Sequence, residues 1–520
     1  MSRKLRIALV AAVALGFIGY RHWSAAESRA PRATAPQPGG DATPIRQYGR
    51  IAFRPCVLSN EQGLPPVEAQ CATFRVPEDR AHPQARTIDL NIAWLPADDK
   101  SGGAPDPIFF LAGGPGQAAT EYAAQIDMAL DSARKQRGIV LVDQRGTGHS
   151  NPLDCRDAQG APLKLDDSAQ LDESVVAAYV GQCLKSLAGR ADPRFYTTGE
   201  AIADLDAVRE ALGVAKINVM GGSYGTRVAQ QYAMHYPQHV RTVVLDGVAP
   251  NRLVVGGEFA KRLQEALRKQ DAQCAKLPAC KARFAGNGGD LIARLGALKA
   301  RLAAAPVTVS YRDPDTHAPR QDVLTADMLI GLTHGVSYVP LLSSLLPLVV
   351  SEAEQGRYEP LMAIATFWSN QVGDQLNRGM QWSVICAEDA PRYQPDPADA
   401  TTVLGADMAK GFFAACAQWP RGTVAADFTR PFASKLPVLV ISGELDPVTP
   451  PVYGEEVVKQ LPNGRHLVLR GQGHGGMSVG CMPKLLGRFF ETADARALDA
   501  KCLDSLSYVP PFTSFNGWEP

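Results

Sequence analysis

With 520 residues, 45% of them hydrophobic, the chain has material for a large core, enough for a catalytic domain carrying a substantial insertion. Lys+Arg and Asp+Glu both number 53, so the formal charge is zero, and no basic stripe points to nucleic acid.

The N-terminus is the compositional anomaly. Arg3, Lys4 and Arg6 precede an uncharged apolar stretch from Ile7 to Tyr20, followed by small residues Ser24-Ala25-Ala26. That order reads as a cleaved export signal over residues 1–26 and is short for a membrane span. The alternative is an uncleaved N-terminal membrane anchor, since Arg21-His22-Trp23 interrupts the cleavage region. Residues 27–45, rich in Pro, Ala, Gly and Thr, read as a tether.

The ten cysteines fall into the sequence-local couples Cys56/Cys71, Cys155/Cys183, Cys274/Cys280, Cys386/Cys416 and Cys481/Cys502, none in a C-x-x-C. Five bridges in order are the simplest connectivity, although sequence alone does not fix it. Paired cysteines behind a signal indicate a periplasmic or secreted protein.

Thr87 to Trp94 alternates apolar and polar residues, an outer antiparallel strand. Next come two wholly apolar strands. Pro107 to Leu111 opens into Gly113-Gly114-Pro115-Gly116, with a helix from about Ala118 to Lys135; Ile139 to Val142 ends in Asp143-Gln144-Arg145-Gly146. Gly199 to Leu212 has helical spacing, with Ile202, Leu205, Val208 and Leu212 on one face. The strand before Gly221 and the helix after it enclose Gly221-Gly222-Ser223-Tyr224-Gly225, and Val240 to Leu245 is a further strand ending at Asp246. Buried strands alternating with helices mean a mostly parallel sheet with helices on both faces. Between 250 and 430 strand signals fade and helical stretches dominate (Phe259 to Lys276, Leu291 to Ala304, Ala326 to Thr333), an inserted helical cap. The alternation resumes with Leu436 to Ile441, then Asp446-Pro447, a helix from about Tyr453, the strand His466 to Leu469, and Gly473-His474-Gly475. The expected core is therefore 46–249 plus 431–520, with 250–430 as the cap.

G-x-S-x-G between strand and helix is the spacing of a nucleophile elbow: the turn is sharp enough that flanking β-carbons would collide. A serine needs a base, and the base an orienting acid. Ser223, Asp446 and His474 occur in the order Ser, Asp, His expected of an α/β-hydrolase fold, each just past a strand's C-terminal end. Asp246, also at a strand end, is the competing acid; Asp446 is preferred because one helix and one strand separate it from His474. The oxyanion donors expected are the amides of Tyr224 and of Gly114 or Gly113, as Pro115 has no N–H. The glycine loop lacks the lysine and Ser/Thr of a phosphate-binding loop. His235 and His239 sit four apart, but Pro237 breaks the helix that would align them on a metal. This chemistry calls for no metal and no organic cofactor.

Leu111-Ala112-Gly113-Gly114-Pro115-Gly116, Asp143-Gln144-Arg145-Gly146-Thr147-Gly148-His149-Ser150 and Gly221-Gly222-Ser223-Tyr224-Gly225 together resemble the prolyl iminopeptidase and tripeptidyl aminopeptidase family of α/β-hydrolase serine peptidases. Glu444 to Pro450 and Gly473-His474-Gly475 resemble the tripeptidyl-aminopeptidase C-terminal segment. Prolyl iminopeptidases usually carry histidine before the glycine loop, where this chain has Ala112. The resemblance implies an exported aminopeptidase acting on peptides with a free N-terminus. Such an enzyme needs an anion for the substrate's α-ammonium. Glu388 and Asp389, which end a family-like segment in the cap, are the acids expected to supply it. A carboxylesterase or lipase acting on small esters or lipids is the alternative. A non-catalytic binding protein conflicts with the complete triad, and an aspartate-nucleophile relative conflicts with serine at 223.

Overall fold

The computed structural model describes residues 45–59, 63–99, 103–163, 173–284, 290–372 and 376–518. The signal at 1–26 and all but the last residue of the tether at 27–45 lie outside them. Ile45 to Pro520 forms one unit by its internal contacts.

Its centre is a ten-stranded sheet in the order β1-β2-β3-β4-β6-β5-β7-β8-β11-β12. Strands β1 (Arg46–Tyr48), β2 (Ile51–Leu58), β3 (Val67–Pro77) and β4 (Thr87–Leu95) pair antiparallel, and β4 joins β6 (Ile139–Val142) antiparallel. From there the sheet is parallel through β5 (Ile108–Leu111), β7 (Ile217–Gly222), β8 (Val240–Asp246), β11 (Val438–Gly443) and β12 (Gly464–Leu469). β5 and β6 are buried at every position because helices cover both faces. Alternate side chains go to opposite layers: Phe109 and Leu111 join the core under helices α1 (Thr198–Ala211) and α2 (Tyr224–His235), while Ile108 and Phe110 join the other.

The insertion has a hydrophobic core of its own, built from α3 (Phe259–Cys274), α4 (Leu291–Ala304) and α5 (Ala326–Val336) with Leu263, Leu295, Leu298 and Val336 among its members. It also holds α6 (Arg378–Glu388) and, among its mainly helical elements, a hairpin of β9 (Val307–Arg312) and β10 (Pro319–Leu324). In β9, Val309 and Tyr311 alternate inward between exposed Thr308, Ser310 and Arg312, a period of two inside a helical stretch. α7 (Pro451–Val458) and α8 (Met482–Thr492) complete the C-terminal part of the core, α8 packing Leu485, Leu486, Phe489 and Phe490 into the second layer.

The helix expected from Ala118 to Lys135 is instead broken into a short 3-10 turn and two short helices, Ala123–Ala129 and Asp131–Arg134. The cysteines pair as the couples predict, with bridges Cys56–Cys71, Cys155–Cys183, Cys274–Cys280, Cys386–Cys416 and Cys481–Cys502. Among the described residues no helix is long and apolar enough to cross a membrane.

Candidate active site

Ser223 sits between β7 and α2 with φ 53° and ψ −124°, a backbone conformation that costs a non-glycine residue on the order of 1–3 kcal/mol. Its surroundings hold it there. The Ser223 amide donates to the Asp246 carbonyl at 2.9 Å, and the Thr226 hydroxyl donates to the Ser223 carbonyl at 2.6 Å. Both glycines of the motif are sterically required: a Cβ on Gly221 would lie 2.2 Å from the Gly225 carbonyl oxygen, and one on Gly225 2.1 Å from that of Leu111. At Gly222, the variable position, a Cβ would meet nothing closer than 3.8 Å. Gly222 and Ser223 are half-buried where the neighbouring residues are buried, so the hydroxyl lies at an opening.

The Asp446 carboxylate is built into its turn. The Val448 and Thr449 amides donate to Oδ1 at 2.9 and 2.8 Å, and the Thr449 hydroxyl donates to Oδ2 at 2.7 Å. Oδ2 also meets Nδ1 of His474 at 2.7 Å, and Thr449 Oγ1 stands 3.0 Å from the same nitrogen. Burial pushes the Asp446 pKa up, but the facing imidazole and the two amides outweigh it and hold the carboxyl below its ordinary value. In His474 burial pushes the pKa down, and the charge and hydrogen bond of Asp446 overcome it, raising the imidazole above 6.5.

His474 arrives on a loop pinned from two sides. Its amide donates to the Tyr338 carbonyl at 2.9 Å, and the Tyr338 ring lies edge-on 5.1 Å from the imidazole. Behind it, the Gly476 amide donates to both carboxylate oxygens of Asp246 at 2.8 and 2.9 Å, and the Met477 amide to one at 2.8 Å. The competing acid thus anchors the backbone of the histidine loop, and Asp446 takes the imidazole. Burial raises the Asp246 pKa to about 6 against the pull of those amides. The imidazole lies over Gly247, where a Cβ would come within 3.1 Å of Cε1. Gly247 follows Asp246, whose carbonyl holds the Ser223 amide, so base and hydroxyl occupy adjacent strand ends. Nε2 of His474 and Oγ of Ser223 are not hydrogen-bonded to each other; contacts of this kind commonly tighten only with substrate.

Tyr224 is the first residue of α2, so its amide has no acceptor within the helix. Gly114 has φ 102° and its amide donates to no backbone carbonyl among the described residues. A Cβ on Gly113 would lie 2.9 Å from the Ser223 Cβ, which shows how closely the glycine loop packs on the serine. The cap reaches this loop through Asn377, whose amide donates to the Gly116 carbonyl at 2.9 Å.

The expected ammonium acceptors, Glu388 and Asp389, both have protein partners in the structure. Asp389 is fully buried, 3.1 Å from the guanidinium of Arg227 and 3.1 Å from that of Arg392, and takes the Val255 amide as well. Glu388 accepts the Thr198 amide at 2.7 Å and the Thr198 hydroxyl at 2.9 Å, covering the first turn of α1. That hydroxyl continues to the Tyr224 phenol at 2.6 Å. Both carboxylates are already engaged by protein donors. Arg227, Val255 and Thr198 lie far away in sequence, so the local run Trp382 to Asp389 could not reveal them. Sequence reasoning also missed Thr449 and Tyr338; for Thr449 the D-P-V-T run, a turn whose hydroxyl folds back on its aspartate, carried the signal, and for Tyr338 none was present. The Asp143-Gln144-Arg145-Gly146 signature is scaffold: Arg145 is wholly buried and forks onto Asp204 at 2.6 and 2.7 Å.

Fold and site define a serine hydrolase on the α/β-hydrolase framework. A family model described as the alpha/beta hydrolase fold matches residues 106–280, and one described as TAP-like protein matches residues 401–502. The chain is 28% identical over 497 residues to the serine protease Hip1 of Mycobacterium tuberculosis, covering 87% of this chain and 91% of the relative. It is 31% identical over 201 residues to the tripeptidyl aminopeptidase of Streptomyces lividans, 36% of this chain and 37% of that one. Carboxylesterase B of Mycobacterium tuberculosis is 28% identical over 434 residues, 76% of this chain and 78% of the relative. The chain thus carries an alpha/beta hydrolase domain and a TAP-like domain, and its likeness to a serine protease and a tripeptidyl aminopeptidase supports a serine hydrolase of peptidase type.

Proposed function

We propose that this protein is an exported serine aminopeptidase of tripeptidyl or prolyl type that cleaves peptides near a free N-terminus. The observation that carries the reading is the 2.7 Å contact between His474 Nδ1 and a fully buried, amide-braced Asp446, beside a serine held at φ 53°. Asp446 fixes the Nδ1–H tautomer, which leaves the Nε2 lone pair for the serine proton. Ser223 Oγ attacks the scissile carbonyl carbon while Nε2 takes its proton. The Tyr224 and Gly114 amides receive the oxyanion, and one such donor is worth roughly 3 kcal/mol of transition-state stabilisation in serine proteases of other folds. Collapse of the tetrahedral intermediate breaks the C–N bond as imidazolium protonates the leaving amine. Water, deprotonated by the same nitrogen, then hydrolyses the acyl-enzyme. Five disulfides support the exported, periplasmic or secreted placement.

The likeness to a carboxylesterase favours a second reading, ester hydrolysis with the same machinery. Chromogenic anilides of proline and of tripeptides, free and N-blocked, set beside nitrophenyl esters with Ser223→Ala as the blank, separate the two. Turnover of anilides only when the amine is free supports the aminopeptidase. Ester turnover without anilide turnover sinks it in favour of the esterase.

A further inference from the structure

With Glu388 and Asp389 tied to protein partners, a free-amine substrate needs another group to hold its amino end. One side chain beside the site has an unused acceptor. His334, on α5, is 9% exposed, and its Nε2 is buried with no hydrogen-bond partner. Leaving a buried polar atom unpaired forfeits the hydrogen bonds it made to water, so a native structure keeps few of them without a use.

The setting is aromatic. The His334 ring lies 5.4 Å from the ring of Tyr338, which is itself 5.1 Å from His474, so a single side chain separates the orphaned imidazole from the imidazole at the triad. Phe259 packs on its other side at 5.2 Å and touches Phe412 at 5.8 Å, and Trp368 meets Tyr338 at 6.1 Å. The next residue is Gly335, where a Cβ would come within 2.2 Å of the Trp368 indole nitrogen, so glycine is what lets the indole close on this wall. Phe259, Tyr338, Trp368 and Phe412 are all half-buried. Burial, with a smaller push from His474, drops the His334 pKa to about 4, so the ring is neutral, and in the tautomer with its proton on Nδ1 the unpartnered Nε2 carries the lone pair. A neutral imidazole acceptor among aromatic faces suits an ammonium group, which donates to the nitrogen and is attracted to the rings.

We propose that His334 is a specificity-determining residue that accepts a hydrogen bond from the substrate's free α-ammonium inside the wall of Phe259, Tyr338, Trp368 and Phe412. The inference rests on the aminopeptidase reading. Two ring-to-ring steps from His474 amount to no more than about three residues of extended chain at roughly 3.3 Å each, so the amino group held there belongs to a short acyl segment.

The test uses nitroanilides of one tripeptide, free and N-acetylated, with the full-length enzyme, His334→Phe, His334→Gln and Ser223→Ala. The wild type should prefer the free amine. His334→Phe, which keeps the ring's bulk and removes the acceptor, should raise KM for the free-amine substrate about 10- to 100-fold relative to the acetylated one, with the kcat ratio moving far less. His334→Gln, which restores an acceptor oxygen, should recover part of that ratio, and it carries the same readout if His334→Phe melts early. A free-amine preference that survives in both variants, or KM values that rise equally for both substrates, overturns the assignment of His334 and leaves the aminopeptidase reading intact. A wild type with Ser223-dependent turnover and no free-amine preference sinks that reading and this inference with it.

Discussion

Asp446 and Asp389 are both fully buried carboxylates facing a cationic partner, and they hold different offices. Asp446 faces an imidazole, a group that can gain and lose a proton, 15% of whose side chain reaches the surface. Asp389 faces Arg227, a wholly buried guanidinium that stays protonated. The first pairing can move charge; the second only locks the cap segment after α6 to the first turn of α2. A buried acid becomes catalytic through the chemistry of its partner and that partner's access to substrate, and burial alone does not distinguish the two.

Substitutions can break this contrast in order of expected size. Asp446→Asn should cut kcat on a free-amine anilide about 10⁴-fold, because the wrong tautomer then faces the serine, while the melting temperature stays close to wild type. Arg227→Met should act through stability, losing roughly 3–5 kcal/mol in urea titration, since it takes the wholly buried guanidinium away from Asp389 and Glu388 and leaves Asp389 to Arg392 alone. A large kcat loss in folded Arg227→Met would erase the distinction. Asp246→Asn lies between the two classes. Turning one acceptor into a donor against the Gly476 and Met477 amides costs roughly 1–3 kcal/mol, felt at the histidine loop as a 10- to 100-fold fall in kcat.

Two pH effects sharpen the picture further. In the proposed mechanism activity requires neutral His474, whose pKa is raised, so the acid limb of kcat/KM should lie above pH 6.5. It should move down in Asp246→Asn, because Asp246 adds to the rise. The smallest effect belongs to Glu388. Its folded pKa of about 7 exceeds the ordinary 4.5, so between those values the folded state binds the extra proton and stability falls as pH rises. Glu388→Gln should flatten that decline, measured by urea midpoints at pH 5 and pH 8.

The parts legible in sequence share one property: their cause is local. Gly221 and Gly225 are demanded by the turn they sit in, the apolar runs of β5 and β6 by burial on both faces, and the disulfides by nearby couples. Ser223, Asp446 and His474 could be picked out because each follows a strand in a fold whose rules place sites at strand ends. The unread parts depend on distant partners. Nothing in Trp382 to Asp389 announces that Arg227 and Thr198 will take both carboxylates, and nothing near Tyr338 says that its carbonyl will hold the histidine loop. The hairpin β9–β10 was legible in its alternation but was masked by helical sequence on both sides.

The central claim is that the hydroxyl at the β7–α2 turn is the nucleophile, driven by the imidazole over Gly247. Intact-protein and peptide mass spectrometry after treatment with a fluorophosphonate tests it most directly. A single adduct on the peptide containing Ser223, absent in Ser223→Ala and formed far more slowly in His474→Ala, is the predicted result. An adduct on another residue, or undiminished labelling of Ser223→Ala, would contradict it.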